Sequence, residues 1–156
     1  RQVYSGGRGW IKSPQGVREL APADLPSARN SILLLAPVKI AEPLPQMTYA
    51  GTAEVNGREA YVLVEKPAAD TTVRRYFDRE TGLLVRQLTT RETVLSTIPE
   101  QVDFEDYRDA GGLKLPFKIT VSAIDTYDNS TRTFTEIKMN VPVNESIFAM
   151  PTTPKP

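Results

Sequence analysis

The chain reads as a mainly β protein of the α+β class: a long antiparallel meander with one clear helix. Three observations predict it. Turn signals recur along the chain, at Ser5-Gly6-Gly7, Asn56-Gly57, Arg79 to Gly82, Gly111-Gly112 and Asp128-Asn129-Ser130. Between them, apolar and polar residues alternate with period two, as on strands with one buried face. One stretch breaks that rhythm: Leu25, Ala28, Ile32 and Leu35 fall on one face at helical spacing. Hairpin follows hairpin, so neighbours in sequence should be neighbours in space. A sheet with one apolar face must curl over something, and the helix is the long apolar element available to fill it.

The plainest hairpin is Phe104 to Ile119, FEDYRDAGGLKLPFKI. Gly111-Gly112 can take positive φ without a Cβ clash. Pro116 lacks an N–H, so it belongs at a strand start, a bulge or an edge. Beyond it, Phe117, Ile119, Val121 and Ala123 alternate with Lys118, Thr120 and Ser122.

The other elements follow in order. Arg1 to Lys12 gives two short strands around Ser5-Gly6-Gly7, then Pro14-Gln15-Gly16 turns the chain into a short strand, Val17 to Leu20. Trp10 fits a packed anchor, or a platform on which a ligand stacks. Asp24 is placed to cap a helix from about Leu25 to Leu35, with Pro26 in its first turn, and Pro37 ends it. Val38 to Gln46 is an irregular crossing. Met47 to Val55 is a strand with Met47, Tyr49, Gly51, Ala53 and Val55 expected on one face. Asn56-Gly57 is a strong hairpin signal, because a type I′ turn needs φ > 0 twice. Arg58 to Lys66 returns, Pro67 to Asp70 loops, and Thr72 to Asp78 pairs with Leu83 to Arg91. Glu92 to Ile98 extends that sheet and Pro99 interrupts it. Thr131 to Val141 is the last strand, and Asn144-Glu145-Ser146 caps one helical turn ending at Phe148.

Length and charge narrow the classes. The 156 residues suit one domain, taken as 1–151 with a tail at 152–156. Lys plus Arg is 19 and Asp plus Glu is 19, so the basic excess of a nucleic-acid binder is absent. With no Cys and no His, disulfides, thiolate or histidine metal sites, haem attachment and the Ser-His-Asp and Cys-His arrangements are excluded within these residues. No cofactor is expected within the chain. No apolar run approaches the roughly 20 residues of a membrane-spanning helix. The first residue is Arg1, so the chain is expected to be a piece of something longer.

Chemical signals are sparse. Asp103, Glu105 and Asp106 offer paired carboxylates, with Asp103 and Glu105 on one strand face, yet a solvated strand explains them as well. Asp125, Asp128 and Asn129 lack the spacing of a calcium loop and read as a turn. Arg74 and Arg75 point to opposite faces of one strand, so one can face a cavity, but a surface position is the stronger reading. Asn129-Ser130-Thr131 and Asn144-Glu145-Ser146 match the glycosylation pattern.

Certain runs resemble a known family. Val55 to Leu63 (VNGREAYVL) and Tyr76 to Leu84 (YFDRETGLL) are similar to bacterial outer-membrane lipoprotein-sorting proteins of the LolA/LolB/LppX-like fold. The similarity continues through Asp106-Tyr107-Arg108, Gly112, Leu115-Pro116-Phe117, Asn140-Val141-Pro142 and Phe148-Ala149-Met150-Pro151, and spans about Trp10 to Pro151. The resemblance implies a highly curved antiparallel half-barrel covered by helices, here one or two, with an apolar cavity for acyl chains. It implies the periplasm or outer envelope, and no enzymatic activity. Domains of this type also look similar to segments appended to multihaem cytochrome c chains of the photosynthetic reaction-centre type, which makes an upstream haem-bearing domain an expected partner.

The expectation is therefore a non-enzymatic envelope domain that binds a lipid or lipoprotein acyl chain. The alternative is a structural or docking module on an electron-transfer protein, without a ligand of its own. Candidate cavity residues are Tyr49, Tyr61, Leu63, Phe77, Leu84, Phe117, Ile119 and Phe134, each of which also fits ordinary core packing.

Overall fold

The computed structural model describes residues 2–5, 7–22, 25, 46–123 and 128–151. The chain divides into two compact units, one made of Arg1–Ala36 with Asn140–Pro156 and the other of Pro37–Met139. The helix expected from Leu25 to Leu35 lies outside the described residues, Leu25 apart.

The smaller unit holds a three-stranded antiparallel sheet of β1 (Gln2–Ser5), β2 (Arg8–Ser13) and β3 (Gly16–Glu19), in that order. Ser5 pairs with Arg8 and Ser13 with Gly16, so both turns fall on the glycine and proline signals. Its C-terminal part contributes a single 3-10 turn, Glu145–Phe148. Asn144 caps that turn by accepting a 3.0 Å hydrogen bond from the Ser146 amide.

The larger unit is a seven-stranded antiparallel meander of β4 (Thr48–Val55), β5 (Arg58–Ala68), β6 (Thr71–Asp78), β7 (Leu84–Glu92), β8 (Thr97–Ala110), β9 (Leu113–Ala123) and β10 (Asp128–Thr133). Among the described residues each strand pairs only with its neighbours in sequence. The sheet is curved and open, consistent with a LolA-like half-barrel. Its core lies chiefly on β7 to β9, where Leu84, Val102, Phe104, Leu115, Phe117 and Ile119 are buried. Sealing a side chain of this size from water stabilises by about 1.5–3 kcal/mol.

Some expectations are corrected. Met47 is not part of β4, and its residues do not share one face. The pairing slips between Tyr49 and Thr52, where Gly51 takes φ 103°. That bulge inserts one residue and shifts the period-two phase. Tyr49 therefore pairs with Leu63 while Ala53 pairs with Ala60, on opposite faces. Pro99 does not interrupt a strand, because β8 runs through it. Pro99 pairs with Thr90 of β7. A turn at Thr93–Ser96, closed by Thr93, separates β7 from β8, so Glu92 to Ile98 is not a continuous strand. Asp128 to Ser130 already belong to β10, which ends at Thr133 instead of reaching Val141. Further along, β10 would meet Pro116, which has no N–H to give. After one last bond from the Phe134 amide to the Phe117 carbonyl, the chain leaves the ladder. Phe134, Ile137 and Met139 then pack on Ala110, Leu115 and Phe117.

The β4–β5 and β8–β9 hairpins turn out to be equivalent. Asn56 and Gly57 take φ 51° and 78°, and Gly111 and Gly112 take 65° and 86°. Val55 pairs with Arg58 and Ala110 with Leu113, so each loop is a tight turn with no slack. Val at position 57 or 112 must occupy a backbone region that β-branched residues avoid. Gly57→Val and Gly112→Val should each lower stability by roughly 1–3 kcal/mol, read as denaturant midpoints. A wild-type midpoint for either variant would rule out this turn geometry there.

Candidate functional site

Residues directly opposite on paired strands share a face, with Cβ atoms about 4.5–5.5 Å apart. The pairings therefore trace rows across the sheet. One row crosses every strand of the larger sheet: Tyr49, Leu63, Arg75, Gln87, Val102, Val121 and Ser130. Beside it on the same face runs Thr52, Tyr61, Phe77 and Leu84. Leu84 joins this row because the β6–β7 register slips after Tyr76, where Val85 is the extra residue. Phe104 and Ile119 pair two residues from Val102 and Val121, which puts them on this face too. Phe117 lies two residues further along β9, and Phe134 bonds beside it.

The structure thus brings all the sequence-nominated cavity residues to one face, in three different states. Leu84, Phe117 and Ile119 are buried core. Phe134 covers Phe117 together with Ile137 and Met139. Leu63 and Phe77 are half-buried. Tyr49 and Tyr61 remain 63% and 39% exposed, with ring centroids 6.3 Å apart in an edge-on arrangement. Apolar surface is left open at the β4–β5 end and closed at the β8–β9 end.

The same face carries a polar string that sequence reasoning missed. Arg75 faces Glu65 at 2.8 Å, with side chains only 13% and 10% exposed. Arg75 Nε donates to Gln87 Oε1 at 3.2 Å, and Gln87 Nε2 donates to Thr89 Oγ1 at 3.4 Å. Arg75 Nη1 also approaches Met47 Sδ at 3.9 Å. The signal was present in the period-two pattern. Glu65 follows Tyr61 and Leu63 at alternate positions, and Arg75 precedes Phe77 in the same way.

The nominated carboxylates are each held by a cation. Asp103 accepts from Arg86 Nε at 2.6 Å and from Gln101 at 2.7 Å, and Glu105 pairs with Lys118 at 2.9 Å. Asp106 takes a fork from Arg108, at 2.9 and 2.6 Å, which lowers its carboxyl below the usual range. Arg108 also lies over the Phe117 ring, 4.7 Å from its centroid. Among the described residues no group of three or more acidic side chains is arranged to hold a metal ion. Asp125 lies outside the described residues. In the smaller unit, Trp10 is buried and its indole N–H donates to the Phe148 carbonyl at 2.9 Å, so it packs. An open groove beside it is lined by Val3, Trp10, Phe148 and Met150, with the Arg8–Glu19 ion pair on its wall.

One end of the open face is anchored by Asp78. Its side chain is buried, and Arg58 donates to both oxygens, Nε to Oδ2 at 2.6 Å and Nη2 to Oδ1 at 3.0 Å. The Thr81 amide and hydroxyl add bonds of 2.8 Å each. Arg58 also reaches Glu80 at 2.8 Å. Alongside, Arg79 pairs with Glu59 and lies over the Tyr61 ring, 5.9 Å from its centroid.

With this geometry described, comparison with solved structures places the fold. It is similar to that of a DUF1329 family protein. That protein is from Desulfovibrio piger; the match has a TM-score of 0.60 at 14% identity and covers 91% of this chain. The chain spans 62% of that protein's length. No protein-family model and no curated protein matches the sequence. At this identity the likeness carries the fold alone, and it lends no support to a cytochrome link.

The Asp78 cluster makes the fold pH-sensitive in a defined direction. The Arg58 hydrogen bonds outweigh burial and hold the Asp78 carboxyl far below its ordinary value. A carboxylate whose native pKa lies below its unfolded value of about 3.9 adds stability that is fully present above that pH. The contribution is lost as pH falls further toward the native value. Asp78→Asn should therefore cost about 1–3 kcal/mol near neutrality, with the gap to wild type narrowing below pH 4. Urea midpoints at pH 7, 5, 4 and 3 check this. A gap that stays constant down to pH 3 would show that Asp78 does not carry the linkage.

Proposed function

We propose that this domain is a non-enzymatic receptor for an apolar ligand, a lipid or acyl chain, working in the periplasm or outer envelope. The observation that supports the reading best is the shared face. Tyr49, Tyr61, Leu63 and Phe77 lie on the same side of the larger sheet as the buried core of β7 to β9. They extend that core into apolar surface that is still open at Tyr49 and Tyr61. Open apolar surface continuous with a core is what a hydrocarbon chain recognises, at about 0.8 kcal/mol per buried CH₂. The setting in the envelope comes from the resemblance to lipoprotein-sorting proteins. The pairing of Asp103, Glu105 and Asp106 with Arg86, Lys118 and Arg108 supports binding over acid–base chemistry. Nothing among the described residues favours the alternative of a docking module on a cytochrome.

Native mass spectrometry of protein purified from a bacterial host should show co-purified lipid, and a fluorescent acyl probe should bind the delipidated protein. Tyr49→Asp, a change at an exposed position, should weaken probe binding several-fold while leaving the unfolding free energy within about 0.5 kcal/mol of wild type. Absence of both lipid and probe binding would end the proposal.

A further inference from the structure

We infer that the ligand of this face ends in a neutral hydrogen-bond acceptor, an ester or amide carbonyl, which docks on Nη2 of Arg75. The inference rests on the apolar-ligand reading and names the chemistry at one end of that ligand. The guanidinium is only partly used. Nε donates to Gln87 Oε1 at 3.2 Å, and Nη1 faces Glu65 Oε1 at 2.8 Å and Met47 Sδ at 3.9 Å. Nη2 meets no acceptor among the described residues. Nor is Nη2 sealed away, since among the described residues no fully buried polar side-chain atom lacks a partner. A charged donor held mostly out of water, with one arm spare, is a place where an acceptor gains more than it does in bulk solvent.

Position and charge narrow what that acceptor is. Arg75 stands in the row of Tyr49 and Leu63, and Tyr61 and Phe77 flank it in the next row. A chain lying across those side chains brings one end to the guanidinium. Glu65, directly against Arg75, already cancels its formal charge. A carboxylate or phosphate would add a second negative charge in a poorly hydrated place, at a Coulomb cost. A carbonyl accepts the same hydrogen bond and adds no charge.

The test is displacement of N-phenyl-1-naphthylamine from the delipidated protein by methyl decanoate, decanoate and undecane. Methyl decanoate should displace the dye at about tenfold lower concentration than undecane, tenfold corresponding to about 1.4 kcal/mol. It should also act at lower concentration than decanoate. Arg75→Lys keeps the ion pair with Glu65 but loses the guanidinium fork. The double variant Arg75→Met with Glu65→Met removes the pair without stranding a charge, and such replacements often keep the fold. In both variants, checked for unchanged circular dichroism, the ester should lose its advantage over the alkane. The inference is overturned, and the apolar-ligand reading kept, if ester and alkane displace equally in wild type. The same holds if decanoate displaces best, or if the preference survives in the variants. If none of the three displaces the dye and the dye itself does not bind, the apolar-ligand reading fails and this inference falls with it.

Discussion

The Asp78 carboxylate lies out of water, and its lone pairs are taken by Arg58 and by the Thr81 amide and hydroxyl. A buried charge left unpaired is costly, so this arrangement tolerates little change. Arg58 opens β5 directly after the Asn56-Gly57 turn, and Asp78 closes β6 directly before the next one. The ion pair therefore clamps two successive turns and sets the β5–β6 register at Ala60 opposite Asp78. A slip of one residue would break the clamp. It would also put Tyr61 and Leu63 on the opposite side of the sheet from Phe77. The open apolar face exists only in the register that Asp78 enforces.

Much of this fold was legible in the sequence, for local reasons. Asn56-Gly57 and Gly111-Gly112 name their turns because few other residues tolerate φ > 0 twice. Pro116 announced a place with a single neighbour strand, and Asn144 announced the turn it caps. The faults have a common physical origin. Bulges at Gly51 and Val85 are properties of a pair of strands, so an alternation read along one strand misassigns faces beyond them. Pro99 looked like an interruption because a proline removes a ladder donor, and the sequence does not say that β7 lies alongside it. The early end of β10 follows from Pro116, a residue on a different strand. In each case the missing information was which strand lies alongside.

The candidate site was legible to a similar depth. Period two was enough to gather Tyr61, Leu63, Phe77, Phe117 and Ile119 on one side. It could not say which of them the chain would cover by itself. Phe134, Ile137 and Met139 close over Ala110, Leu115 and Phe117, and so turn part of the nominated cavity into core. The Glu65–Arg75 pair escaped notice because charged residues in alternating strands are ordinarily assigned to the solvent side. Here both carry the phase of the apolar face, and both are mostly buried.

That pair bears on what the face is for. A sheet needing only a dry core would gain by placing two aliphatic side chains there, since a buried ion pair seldom outweighs its desolvation. Register alone does not require it either, because Arg58 and Asp78 already set the alignment of the same two strands. What Arg75 supplies beyond both is direction. Its guanidinium is held by Glu65 and Gln87, and it stands on the same face as Tyr49, Leu63, Tyr61 and Phe77. An apolar face with one oriented donor can hold a chain in a single sense, where a wholly apolar one would let it slide along the strands.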